Sequence, residues 1–268
     1  MSRKKQLIIP IFIPFGGCPH KCAFCDQEGI TGNISLPGLT DVTATIEAYL
    51  STWKGAGLKE VAFYGGSFTG LPLATQKSYL EAAYWYVLSG EIDSLRVSTR
   101  PDYIGQEVVA LLKEFKVATV ELGVQSMSDE VLALSVRGHS SRETVKAVGI
   151  LKEAGIKTGL QFMPGLPGDT TETVISTTES IIGLKPAFVR IYPALVLKNT
   201  ALHRMYLNNE YRPWPLDEMV SVCRKAVQLF KDAGIPVIRI GLQPTAELEK
   251  NIAAGPYHPS FRQLVEKG

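Results

Sequence analysis

Six apolar runs of strand length punctuate the chain: "LIIPIFI" (7–13), "EVAFYG" (60–65), "LRVST" (95–99), "ATVELG" (118–123), "KTGLQFM" (157–163) and "FVRIYP" (188–193). A weaker seventh, "PVIRIG", lies at 236–241. Most are followed by a glycine- or proline-marked loop and then by a segment with helical spacing of apolar residues. This pattern predicts helices near 41–54, 72–89, 104–115, 128–134, 141–154, 170–183 and 216–233. In "SSRETVKAVGILKEAG" a serine-rich start precedes apolar positions at helical intervals, and Gly155 is placed to cap the end.

Strands and helices alternating at this pitch imply a parallel sheet with right-handed crossovers. Six or seven units fall short of the eight that close a barrel. The expected fold class is therefore α/β, an open (partial) parallel β/α barrel of about six strands with a C-terminal extension. A doubly wound flat sheet is the competing layout. Neither a Pro- or Ser-rich linker nor a short repeat interrupts the chain. One domain over 1–268 is expected, with its core at about 7–200 and the extension at about 201–268.

Composition changes this picture little. Of 268 residues, 45% are hydrophobic and 20% charged, an ordinary globular balance. The net charge of +2 is too even to argue for nucleic acid by itself, and it leaves room for a local basic face. The opening "MSRKK" is basic, but the "QLIIPIFIPF" behind it is short and interrupted by proline. That suits a buried strand in a cytoplasmic protein better than a membrane span or a signal peptide.

Chemistry-bearing residues gather directly after the strands, in "GGSFTG", "STRPDY", "GVQS", "MPGLPGDT", "YPALVLKNT" and a cysteine loop. In a parallel α/β array these positions share the end where active sites form. The cysteine loop is "GGCPHKCAFCDQ" (16–27), with Cys18, Cys22 and Cys25 spaced C-x3-C-x2-C. Clustered cysteines in a cytoplasmic chain point to metal or redox chemistry rather than to a disulfide framework. Structural zinc wants four closed ligands. His20 is awkwardly spaced within the loop, His139, His203 and His258 are isolated along the chain, and Cys223 reads as a small apolar residue on a helix face. An iron–sulfur cluster with three thiolates leaves one iron open to another ligand. Both metal readings stand on the residues alone, the second being the sharper. "GLPGD" lacks the G-K-[ST] of a phosphate loop, and "GGSFTG" lacks the spacing of a hydrolase nucleophile.

C-x3-C-x2-C with Phe24 before the last cysteine, following the first strand of a parallel array, resembles the radical S-adenosylmethionine (SAM) enzymes. "GGSFTG", "STRPDY", "ELGVQSMSDEVL", "RGH" and "QFMPGLPGDT", in that order, resemble the branch containing the Elongator catalytic subunit and its bacterial relatives, with oxygen-independent coproporphyrinogen oxidases nearby. The likeness spans about residues 7–245.

It implies a [4Fe-4S] cluster on Cys18, Cys22 and Cys25, with SAM on the open iron and reductive cleavage to a 5′-deoxyadenosyl radical. It implies SAM contacts from Phe24, from Gly65, Gly66 and Ser67 at the methionine amino group, and from Gln125 and Arg137, the latter at the carboxylate. Ser98 and Gln161 fall near the ribose, and Met163 and Tyr192 near the adenine. Ser67 and Ser98 stand where relatives carry acids. Arg100 and Arg190 fit structural ion pairs as well as ligand contacts. An electron donor such as flavodoxin or ferredoxin is implied as partner, with tRNA or another RNA as substrate and a small molecule as the alternative. A non-catalytic zinc or iron–sulfur module is the rival from another class. Tyr257, His258 and Arg262 suit a helix and turn over the open barrel more than a substrate mouth.

Overall fold

The computed structural model describes residues 6–14, 17–18, 22–26 and 35–267. Its strands are β1 (Leu7–Ile13), β2 (Lys59–Gly65), β3 (Ser94–Thr99), β4 (Val117–Gln125), β5 (Lys157–Phe162), β6 (Phe188–Ile191), β7 (Val196–Leu197), β8 (Val237–Ile240) and β9 (Ile252–Ala254). One all-parallel sheet has the order β1-β2-β3-β4-β5-β6-β8, and β7 pairs antiparallel with β9. The order never reverses, so there is no switch point of the doubly wound kind. The fold is the open β/α-barrel class expected, with seven strands where about six were anticipated. The weak run at 236–241 supplies the seventh, because β8 pairs with β6.

The helices are α1 (Leu39–Thr52), α2 (Leu73–Leu88), α3 (Gln106–Glu114), α4 (Asp129–Leu134), α5 (Ser141–Glu153), α6 (Thr171–Gly183), α7 (Ala201–Leu207), α8 (Leu216–Asp232), α9 (Ala246–Asn251) and α10 (Phe261–Glu266). Among the described residues no helix is long and apolar enough to cross a membrane. The chain divides into two compact units. One comprises Met1–Pro19, Ile34–Leu122 and Ala147–Thr158; the other comprises His20–Asn33, Gly123–Lys146 and Gly159–Gly268.

In the first unit, β1 alternates in burial, where the sequence predicts a strand buried throughout. Leu7, Ile9, Ile11 and Ile13 are buried while Pro10 is exposed. As the edge strand, β1 tolerates a proline that has no N–H to give to a ladder. Val61, Phe63, Leu95 and Val97 are wholly buried on β2 and β3. Between those apolar positions lies a charged triad: Arg96 on β3 reaches Glu60 at 2.6 Å and Glu121 at 2.7 Å, all three nearly sealed from water. Helix α1 starts where the Asp41 carboxylate accepts the Gly38 N–H at 2.8 Å.

In the second unit, α8 buries Met219, Val222, Cys223, Ala226 and Phe230, a stripe at helical spacing. Phe230 stacks obliquely on Phe162 of β5, with ring centroids 6.1 Å apart. Cys223 is core, as the sequence suggested, and burial pushes its thiol pKa up. Helix α6 is rich in β-branched residues, which intrinsic preference disfavours. It forms because Thr170 caps its start and because Val174, Thr177, Thr178 and Ile181 are buried.

Candidate functional site

On the first unit, the chain leaving β1 meets the chain leaving β2. Gly66 N–H donates to Ile13 O at 2.7 Å. Gly17 adopts a left-handed φ of +70°, and a Cβ there would lie 2.1 Å from Ser67 O. The reciprocal holds at Gly70, where a Cβ would lie 2.2 Å from Gly17 O. Backbone therefore touches backbone, which only glycine permits. The consequence is a contact between the two motifs: Cys18 Sγ and Ser67 Oγ are 3.6 Å apart, and Ser67 is buried. Gly65, at φ +106°, closes over Ile13 O and the Phe12 ring. Ser98, half-buried on β3, is in register with Glu121, whose carboxylate also accepts the Tyr64 hydroxyl at 3.2 Å. Arg100 pairs bidentately with Asp102 through Nε and Nη2, at 2.9 and 2.8 Å, so it braces its own turn.

On the second unit, the Cys22–Cys25 segment is held from several directions. Ala23 N–H donates to Ser135 O at the end of α4 (3.0 Å), and Ala23 O accepts from Leu202 N–H at the start of α7 (2.7 Å). Thr200 caps α7, its Oγ accepting from His203 N–H at 3.0 Å and donating to Leu197 O at 2.6 Å. Cys25 N–H turns back to Cys22 O at 3.0 Å. Arg137 Nη1 donates to Cys22 Sγ at 3.3 Å, and Nη2 donates to Gly123 O. Phe24 packs beside Met163 on Val131, Leu166 and Ala194, and also on Val196, Leu202 and Tyr211. His20 lies outside the described residues.

The loops after β4, β5 and β6 converge on one another. Gln125 has a left-handed φ of +68°, a strained position for a non-glycine residue of the kind that collects at functional sites. Its carbonyl accepts Met163 N–H at 2.8 Å, and its Oε1 lies 3.5 Å from Gln161 Nε2. Tyr192 N–H donates to Phe162 O at 3.0 Å, and its hydroxyl is 3.4 Å from Arg190 Nη1. Thr177 of α6 holds the start of "SMSDEV" through Met127 N–H at 3.1 Å. Val136, also left-handed at φ +51°, directs the chain into Arg137.

Three bracing residues were given no role by the sequence, although Asp169 lies within "GLPGD". Asp169 accepts Gly165 N–H at 2.9 Å and the Thr173 hydroxyl at 2.6 Å. Tyr211 donates its hydroxyl to Gly165 O at 2.6 Å. Leu202 serves through its backbone. Burial raises the Asp169 carboxyl to about 6, and burial with Asp169 nearby pushes the Tyr211 phenol up. Tyr257 bonds Glu249 at 2.6 Å and Arg262 pairs with Glu266 at 2.8 Å. His258 lines a small hollow with Pro193, Leu242 and Phe261. The helix-and-turn reading of that tail describes these contacts.

Among the described residues, no three Cys, His, Asp or Glu side chains are gathered at metal-ligating spacing. Cys18, Cys22 and Cys25 lie within eight residues of sequence and form no disulfide; Cys18 Sγ lies against the Ser67 hydroxyl, and Cys22 Sγ accepts from Arg137. Donors of that kind stabilise a thiolate, the form that binds iron. With Cys223 sealed in the core, the donor set fits a cluster with three protein ligands.

An unswitched β/α sheet with a three-cysteine loop after its first strand defines a class, and the sequence profile of the Radical SAM superfamily matches residues 12–181. The chain belongs to the radical SAM superfamily, whose enzymes work with a [4Fe-4S] cluster and S-adenosylmethionine. A Radical_SAM C-terminal domain profile matches residues 186–268. A tRNA uridine(34) acetyltransferase of Methanocaldococcus infernus is 36% identical over 253 residues, covering 80% of this chain and 47% of that protein. An uncharacterised protein of Methanocaldococcus jannaschii is 30% identical over 230 residues, covering 81% and 70%. The solved structure of Methanocaldococcus infernus Elp3 lacking its N-terminus superposes with a TM-score of 0.76 at 24% identity, covering 99% of this chain and 63% of that one. The chain thus spans about half the length of the acetyltransferase relative it matches.

Proposed function

We propose that Cys18, Cys22 and Cys25 hold a [4Fe-4S] cluster whose fourth iron binds S-adenosylmethionine, and that the chain cleaves S-adenosylmethionine reductively to act on tRNA. The observation that carries the reading is the bracing of the cysteine loop, with Arg137 on the Cys22 sulfur and Phe24 packed on the same apolar cluster as Met163. When bound, the cluster and S-adenosylmethionine supply one-electron cleavage of a carbon–sulfur bond, giving methionine and a 5′-deoxyadenosyl radical.

The protein's own work is to bind and shield. Gly65 and Gly66 let backbone approach the methionine end, and Arg137, beside Cys22, serves its carboxylate. Ser98, Gln125 and Gln161 face the ribose, while Met163, Tyr192 and Phe24 border the adenine and exclude water. In this reading the chain works as one catalytic domain, in the cytoplasm, reduced by a flavodoxin or ferredoxin.

Relatives named as tRNA uridine(34) acetyltransferases support tRNA as substrate. Acetyl transfer is not carried over, because the match spans 47% of the Methanocaldococcus infernus protein. The test is anaerobic turnover of the reconstituted protein with and without tRNA. Faster release of 5′-deoxyadenosine with tRNA, falling as salt weakens phosphate contacts, is expected. A rate indifferent to tRNA at low salt would exclude it as substrate.

A further inference from the structure

We propose that Ser67 is a positioning and tuning residue of the cluster: its hydroxyl donates a hydrogen bond to the Cys18 thiolate and raises the cluster's reduction potential. The inference rests on Cys18 being a cluster ligand, as proposed above. Ser67 was expected at the methionine amino group, by analogy with relatives that carry an acid there. In this chain its Oγ lies 3.6 Å from Cys18 Sγ, within reach of a hydrogen bond to sulfur.

Backbone packing brings the two residues together. Gly17 precedes Cys18, and its Cα stands so close to the next loop that an added Cβ would meet Ser67 O at 2.1 Å and Gly70 C at 2.6 Å. The turn that follows Ser67 is closed by Gly70 N–H donating to Ser67 O at 2.9 Å. Ser67 itself is only 2% exposed, so water does not compete well for its hydroxyl.

Between a thiol and a hydroxyl either group can donate. A cysteine bound to iron has lost its proton, so only the Ser67 hydroxyl can then be the donor. The reduced cluster carries one more negative charge than the oxidised one, and part of it resides on the thiolate sulfurs. A donor on such a sulfur therefore favours the reduced form, which is how hydrogen bonds to sulfur set cluster potentials. A carboxylate at residue 67 would have no proton to give and would repel the sulfur. Serine at this position thus makes the cluster easier to reduce.

The experiment is a redox titration of the reconstituted protein, followed by electron paramagnetic resonance, on wild type and Ser67→Ala. Ser67→Thr and Ser67→Val form a second pair, equal in bulk and differing in the hydroxyl. At a fixed solution potential Ser67→Ala is expected to lower the reduced-to-oxidised ratio about tenfold, a shift of about 59 mV for a one-electron couple. Val should fall below Thr by a similar factor, which isolates the hydroxyl even if Ala perturbs folding. S-adenosylmethionine affinity, from the change it causes in the resonance spectrum, should move less than about twofold, well under the tenfold that 1.4 kcal/mol would bring.

An intact cluster with unmoved potential in both comparisons overturns the inference. So does an unmoved potential with weakened S-adenosylmethionine binding, which would return Ser67 to the methionine amino group. Cys18→Ala is run alongside. If it retains the wild-type iron content and spectrum, the cluster assignment itself has failed, and the Ser67 inference with it.

Discussion

Gly17→Ala probes the joint on which the cysteine loop rests. Gly17 sits at φ +70°, where an L-residue with a Cβ costs about 1–2 kcal/mol. The new Cβ would also lie 2.1 Å from Ser67 O, 2.6 Å from Gly70 C and 2.7 Å from Leu71 N, against ordinary contact from 3.4 Å. All three are backbone atoms, so no rotamer change relieves the overlap, and the two segments must part by more than an ångström. Overpacking of this kind costs about 1–3 kcal/mol. Together the two terms predict a loss of about 2–5 kcal/mol, read as a lower urea midpoint of the iron-free protein. Gly70→Ala, whose Cβ would meet Gly17 O at 2.2 Å without a left-handed φ, carries the overlap term alone and should cost about 1–3 kcal/mol. Gly149→Ala is the control: it lies within α5 with nothing within 4 Å of its Cβ, and should gain about 0.5–1 kcal/mol. Both loop variants should also retain less iron after reconstitution, because Cys18 and Ser67 part with the backbone. A Gly17→Ala protein with wild-type midpoint and wild-type iron would refute the interlock.

Asp169, raised to about 6 by burial, makes the native state bind its proton more tightly than the unfolded chain, where the value is 3.8. Its contribution is therefore full below about pH 4 and is lost as pH rises through about 6; the difference is on the order of 3 kcal/mol. The stability gap between wild type and Asp169→Asn should swing by that order between pH 4 and 7, and a pH-independent gap would contradict it. Arg96→Met leaves Glu60 and Glu121 buried without this cation and should cost about 3–5 kcal/mol at neutral pH by urea denaturation. Tyr211→Phe keeps the ring against Phe24 but frees Gly165 O, costing about 1–3 kcal/mol; hydrogen exchange should quicken at residues 164–169.

The strands were legible because each alternates or saturates with apolar residues and ends in a glycine or proline loop. The β/α rhythm gave a parallel sheet but left a doubly wound order open, because strand order depends on long-range pairing that no local pattern encodes. The short elements β7, β9, α7, α9 and α10 were not legible: they are two to seven residues long, and caps and long-range pairing hold them rather than a periodic face. At the site, spacing singled out Cys18, Cys22 and Cys25, while the family resemblance pointed to Gln125, Gln161 and Met163, which the structure brings together. Sequence could not show that Ser67 faces Cys18 or that Arg137 faces Cys22, since both contacts depend on how distant loops meet. The grip of α7 on Ala23 was invisible for a different reason. It runs from backbone to backbone, and no side chain announces it.

The central claim is that three thiolates on one loop carry a cluster able to cleave S-adenosylmethionine. Its most direct test is mass spectrometry of 5′-deoxyadenosine after anaerobic reconstitution with iron and sulfide, reduction, and addition of S-adenosylmethionine, with Cys22→Ala in parallel. The account predicts product from wild type and none from the variant. Colourless wild-type protein with stoichiometric zinc and no product would contradict it.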